Sequence, residues 1–132
     1  MRYLLDSNAC IVFLNGRSEK LKQRFLACEP EEIALCSIVK AELYFGAMKS
    51  QNMSKSLSKV EAFFSQFDSL PFDDISAKLY GEIRADLAAK GTIIGNNDMM
   101  IAAIALRNGL TLVTHNTREF NRVTDLKLDD WE

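Results

Sequence analysis

From Asn96 to Leu106 the chain reads Asn-Asn-Asp-Met-Met-Ile-Ala-Ala-Ile-Ala-Leu, a helix start followed by residues that are apolar on every side. A helix without a polar face has to lie inside a fold, covered all round by other elements. Asp98 rides in its first turn, with Ile101 and Ala102 as neighbours at i+3 and i+4. A lone buried carboxylate is costly, and it neutralises, pairs with a cation or binds a metal. The remainder of the chain must therefore supply both the cover for this helix and the partners for Asp98.

Short apolar runs alternate with helical patterns along the chain. Arg2-Tyr3-Leu4-Leu5 reads as a buried strand ending at Asp6-Ser7-Asn8, a helix start, and a short helix follows to Leu14 with Asn15-Gly16 as its stop. Ser18 is placed to cap a helix through about Cys28, and Ile33 to Cys36 is a second buried strand. Ser37 is the expected N-cap of a helix over Ile38 to Met48. Residues 49–54 form the expected loop, a helix follows from about Ser56 to Phe67, and Leu70-Pro71-Phe72 is extended because Pro71 disfavours helix before it. Asp73 or Asp74 starts a further helix that Gly91 stops; Asn96 or Asn97 is the expected cap of the central helix, and Asn108-Gly109 ends it. Leu110 to Val113 is a strand, Thr114 to Phe120 a loop entering a helical turn, and Leu126 to Leu128 a last edge strand, with Trp131 packing the terminus down. Strands alternating with helices imply a parallel sheet covered on both faces, and such sheets bind ligands outside the carboxyl ends of their strands.

Asp6 and the Thr114–Glu119 segment lie just beyond strand ends, and four acids are candidates to converge there, each with a structural alternative. Asp6 suits a plain N-cap as well as a ligand role. Glu42 has Ile38, Val39, Phe45 and Gly46 around it on its helix, which puts the carboxylate on an apolar face unless it reaches out to water. Asp98 complements the helix dipole but is not needed as a cap. Glu119 lies three residues after Asn116, a spacing that also fits a capping box. His115, the only histidine, is either a general base or a solvated loop residue. Four converging acids make an oxygen-rich site suited to Mg²⁺ or Mn²⁺, and metal-assisted phosphodiester hydrolysis is the reaction such a site serves. No glycine-rich phosphate loop, GxSxG or cysteine–histidine pairing competes with that reading.

Composition adds bounds. The 132 residues, 48% hydrophobic and 26% charged, suit one globular domain over residues 1–132. Sixteen basic against 18 acidic residues give a net charge of −2, so any nucleic-acid surface must be a local one, and Arg84, Lys90, Arg118 and Arg122 are the residues that would have to gather at the cleft. Cys10, Cys28 and Cys36 lack disulfide or zinc-ligand spacing and read as buried apolar residues in a reducing compartment. With no signal peptide pattern and no long apolar run, no membrane partner is expected and the location is cytoplasmic.

Tyr3-Leu4-Leu5-Asp6-Ser7-Asn8, Ala41-Glu42-Leu43-Tyr44-Phe45-Gly46, Ile94-Gly95-Asn96-Asn97-Asp98 with Ile101-Ala102-Ala103, and Leu112 to Phe120 together resemble PIN-domain proteins. More narrowly they resemble the VapC toxins of bacterial VapBC modules, along the whole chain and in the family's order. The resemblance implies an α/β fold, a PIN-like three-layer α/β/α sandwich with a short, mostly parallel central sheet. It implies a Mg²⁺- or Mn²⁺-dependent endoribonuclease that blocks translation, with Asp6, Glu42, Asp98 and Glu119 catalytic and Asp6, Asp98 and Glu119 as metal ligands. Ser7, Asn8, Asn116 and Arg118 would contact substrate. Ser7 stands where the family commonly has Thr, and Glu119 is a methylene longer than the family's frequent Asp. The resemblance also implies a homodimer, a VapB-type antitoxin lying across the acidic site, and an RNA substrate, with the anticodon stem-loop of initiator tRNA in first place.

Two other readings use the same residues. A non-catalytic module that keeps the fold would use its acidic pocket only to bind metal or a partner's arginine. A phosphoaspartate domain fits poorly, because Asn8 stands where a second acid is needed and no lysine follows a late strand.

Overall fold

The computed structural model describes residues 1–132. Five short strands, β1 (Tyr3–Leu5), β2 (Ile33–Cys36), β3 (Asp68–Leu70), β4 (Thr111–Val113) and β5 (Leu128–Asp129), form one sheet in the order β3-β2-β1-β4-β5, all neighbours parallel. Tyr3 stands beside Ile33 on one side and Thr111 on the other, so β1 is the central strand, and it is buried along its whole length. That explains its unbroken apolar sequence: both faces of a parallel strand are covered by helices.

Seven helices supply the cover: α1 (Ser7–Leu14), α2 (Glu19–Leu26), α3 (Ser37–Met48), α4 (Met53–Phe64), α5 (Asp74–Ala89), α6 (Asn96–Asn108) and α7 (Thr117–Phe120). Right-handed crossovers running β1-β2-β3 put α1 to α4 on one face, and the return to β4 puts α5 and α6 on the other. The packing agrees, with α1 against α2 and α3, α3 against α4, and α5 against α6. α6 fills the interior as its composition demands; Met99 and every residue from Ile101 to Ala105 are buried. Phe13, Phe25, Phe63 and Phe67 form an aromatic cluster under α1, α2 and α4, and Trp131 closes edge-on against Tyr3 at 5.0 Å.

Helix ends show where local signals ruled and where they did not. Ser18 and Asp73 cap α2 and α5 through their side chains as expected, and Gly91 and Gly109 leave α5 and α6 in the left-handed region that favours glycine. Ser37 is not a cap: α3 starts at Ser37 itself, after Cys36, and no side chain caps it. α6 is likewise entered from Gly95 with no side-chain cap, so neither Asn96 nor Asn97 does that work. α4 starts three residues before the expected Ser56, because Asn52 accepts from the Lys55 N–H, and it ends at Phe64. Asp68–Leu70 is a strand that its polar residues concealed; it pairs with β2 at the sheet's margin, where little burial is required. No helix is long and apolar enough to cross a membrane.

Candidate active site

β1 and β4 are neighbours, yet the chain leaves them in opposite directions across the sheet, β1 toward β2 and β4 toward β5. Their carboxyl ends therefore open a crevice, the place where open parallel sheets bind ligands. Asp6 follows β1 directly, and its N–H donates to the Val113 carbonyl at 3.1 Å. Its side chain caps α1 by accepting the Ala9 N–H at 2.8 Å. The capping alternative is thus correct for Asp6, and it uses only one oxygen.

Glu42 enters from α3, where it is half-buried and accepts a hydrogen bond of 2.7 Å from the Ser7 hydroxyl. Its surroundings are less apolar than its helical neighbours imply, since Phe45 is 66% exposed. Asp98 sits in the first turn of α6, half-buried, and α3 touches α6, so the two acids approach from adjoining helices. Glu119 comes from α7. The capping box that this spacing also allows does not form; the Asn116 side-chain amide instead donates to the Glu119 carboxylate at 3.2 Å. Asn116 holds an acid in place, beyond the substrate contact expected of it.

The four acids form one electrostatic cluster. Burial drives the Asp6 carboxyl up to about 6, opposed by hydrogen bonds from the Thr114 side chain and the Ala9 N–H and assisted by the charge of Asp98. The Asp98 carboxyl is also raised, first by burial and then by the charges of Glu42 and Glu119. No lysine, arginine or histidine pairs with any of the four. No three of them bring ligand oxygens within 4.8 Å of one another. An all-carboxylate donor set with uncompensated charge fits a hard divalent cation.

Thr114 was not singled out in the sequence. It follows β4 as Asp6 follows β1, and the register of Leu5 beside Val113 sets the two side by side. Buried to 1% exposure, it accepts the Asn116 N–H at 3.0 Å, and its side chain lowers the Asp6 carboxyl against the effect of burial. The signal was positional: a polar residue one step beyond a buried strand.

His115 is exposed and turned to Asp130, 3.0 Å away, whose hydrogen bond and charge raise its imidazole above the ordinary value. The solvated reading holds for it. Ser7 is committed to Glu42, while Asn8 and Arg118 are exposed and form no side-chain hydrogen bond. Burial pushes the Cys36 thiol up to about 11 and raises the Cys10 thiol well above its ordinary value, which disfavours the reactive thiolate at both. The largest cavity, about 390 Å³ between α5, α6 and residues 123–125, includes none of the four acids.

An acidic crevice on a five-stranded parallel sheet is the ground plan of a known fold family, and the PIN domain family model matches residues 3–126. The chain belongs to the PIN-domain family, within its VapC ribonucleases, and is a nuclease of toxin–antitoxin type. It is 38% identical to Ribonuclease VapC2 of Rickettsia felis over 100% of this chain and 99% of that protein. It is also 38% identical to the tRNA(fMet)-specific endonuclease VapC of Salmonella typhimurium, covering 99% of this chain and 98% of the relative. The fold superposes on the crystal structure of DNA-bound VapBC from Salmonella typhimurium with a TM-score of 0.94 at 38% identity, covering 100% of this chain and 99% of that one. VapBC2 from Rickettsia felis, bound to a promoter DNA fragment, matches with a TM-score of 0.92 at 38% identity over 100% of both chains. PIN-domain nucleases generally depend on a divalent metal.

Proposed function

We propose that residues 1–132 act as one PIN domain that cleaves initiator tRNA in its anticodon stem-loop, with Asp6 and Asp98 as the principal metal ligands, Glu42 completing the acidic cluster and Glu119 a more distant ligand. The observation that carries this is the set of four carboxylates gathered at the β1–β4 crevice with no cation paired to any of them. Mg²⁺ is the expected ion, with Mn²⁺ able to substitute, since both accept oxygen ligands. A divalent ion bound there supplies Lewis acidity to a phosphodiester and a water nucleophile at neutral pH.

The chain's own residues set the geometry. The Ala9 N–H holds Asp6, Ser7 holds Glu42, and Asn116 holds Glu119, so three acids are oriented before substrate arrives. The tRNA substrate rests on the name of the Salmonella typhimurium relative.

A cytoplasmic homodimer neutralised by a VapB-type antitoxin completes the reading. The solved VapBC complexes support the antitoxin, and so does a groove of about 280 Å³ between α1, α3 and α4. Ile11, Leu14, Leu43 and Val60 give it an apolar lining, and Glu42 also borders it. A partner segment seated there would end at the acidic crevice.

The test is incubation of the antitoxin-free protein with total tRNA and Mg²⁺ or Mn²⁺, beside EDTA and Asp98→Asn controls. A discrete metal-dependent cut in initiator tRNA, absent from both controls, is expected. Cutting of another RNA class alone would remove the tRNA assignment. Absence of any cut would favour the non-catalytic binding module.

A further inference from the structure

Of the four cations the sequence offered for a nucleic-acid surface, Lys90 is excluded, since it pairs with Asp86 at 3.1 Å. Arg84, Arg118 and Arg122 form no ion pair with any acid. Two of these guanidinium groups are tied to neutral partners, Arg122 directly to the segment 92–96 and Arg84 to it through Tyr80. Arg84 donates to the Tyr80 hydroxyl at 2.8 Å, and Tyr80 in turn donates to the Asn96 side-chain oxygen at 3.4 Å. The Tyr80 ring is steadied edge-on by Phe72, 6.2 Å away. Arg122 donates to the Thr92 carbonyl at 3.4 Å. Residues 92–96 are thus bracketed by two positive groups, and this segment leads directly into the α6 turn that carries Asp98.

We infer that Arg84 and Arg122 form a phosphate-backbone rail on the α5–α6 side of the acidic crevice, with Tyr80 as the residue that positions Arg84. The inference rests on the RNA-cleaving reading above. Four unpaired acids repel a polyanion, and a net charge of −2 offers no general attraction to counter them. Local cations whose charge is not already consumed are what such a site requires. A guanidinium anchored through one nitrogen to a neutral hydroxyl or carbonyl keeps its full charge and its remaining donors for phosphate oxygens. Contacts of this kind set where the strand lies without reading its sequence.

The test uses the full chain without antitoxin, silenced by Asp98→Asn, and a labelled initiator tRNA titrated at several salt concentrations. Arg84→Gln and Arg122→Gln are each expected to weaken binding at least fivefold. Each should also flatten the salt dependence by about 0.7–0.9 in log–log slope, the loss of one phosphate contact. Tyr80→Phe keeps the ring and every charge, so it should weaken binding while leaving the slope unchanged. Because Arg84 is exposed, its variant stays folded even where loss of the Arg122 anchor disturbs residues 92–96. Binding by the silenced parent with unaltered affinity and slope in Arg84→Gln would overturn the rail alone. A silenced parent that binds no RNA would overturn the rail together with the RNA-cleaving reading.

Discussion

The Ser7 hydroxyl donates to the Glu42 carboxylate at 2.7 Å across 35 residues of sequence, joining the first turn of α1 to the middle of α3. Asp6, next to it in the chain, turns inward to cap α1. One dipeptide at the end of β1 therefore orients two of the four acids.

Removing that hydroxyl isolates its contribution. Ser7→Ala should cost about 1 kcal/mol of stability, the net worth of a hydrogen bond in a partly solvated setting. It should lower cleavage about tenfold, as loss of a supporting contact does. Ser7→Thr keeps the hydroxyl and should restore cleavage. Equal activity of Ser7→Ala and the parent would show that Glu42 needs no such support.

Asp6 links stability to pH. Its carboxyl titrates at about 6 in the folded chain against 3.8 ordinarily. Below pH 3.8 both folded and unfolded chains hold the proton, and this group costs nothing. Between 3.8 and 6 only the folded chain holds it, so stability falls as pH rises; above 6 the full cost, roughly 3 kcal/mol, is in place. Asp6→Asn removes the charge and keeps a competent cap. Denaturant unfolding without metal should find the variant more stable at pH 8 by up to that amount and about equal to the parent near pH 4. A constant difference across that range would show that Asp6 is not the group responsible.

Asp98 and Glu119 should differ in degree. Asp98→Asn should abolish cleavage while leaving the circular dichroism spectrum unchanged. Glu119→Gln should reduce cleavage less, because Glu119 is already engaged with Asn116 and belongs to the four-residue α7. Equal loss from both variants would raise Glu119 to a principal ligand.

Divalent cation should stabilise the fold as well as serve the reaction. Mg²⁺ or Mn²⁺ at about 100 times its dissociation constant should add about 2.7 kcal/mol to unfolding at pH 7.5. Asp98→Asn should lose most of that increment. A thermal midpoint that ignores both metals would argue against a cation site at the crevice.

The sheet and its helices were legible because burial dictated the sequence. β1 and β2 are unbroken apolar runs, and α6 is apolar on all sides because it is covered on all sides. Local rules failed where the fold supplied what a side chain usually does. Ser37 and Asn97 look like caps, yet backbone geometry from the preceding strand or loop starts both helices without them. β3 escaped notice because Asp68 and Ser69 are exposed and carry no apolar signal. Of the candidate acids, Asp6 and Glu119 drew notice by following strand ends, Glu42 and Asp98 by their apolar helical neighbours. Their supports were not legible, since the bond from Ser7 to Glu42 joins positions 35 residues apart and Thr114 lies beside Asp6 only through the pairing of Leu5 with Val113.

Both margins of the sheet are blunt. β3 has three residues, two of them exposed, and β5 has only two. So short a row of free N–H and C=O groups offers almost nothing for an incoming strand to pair with. A second chain joining this molecule meets side chains instead, on helical surfaces such as the one that exposes Phe45, Met48 and Met53. Fidelity of assembly is then written in helix-face residues, which single substitutions can retune, and the main-chain ladder is closed to promiscuous extension.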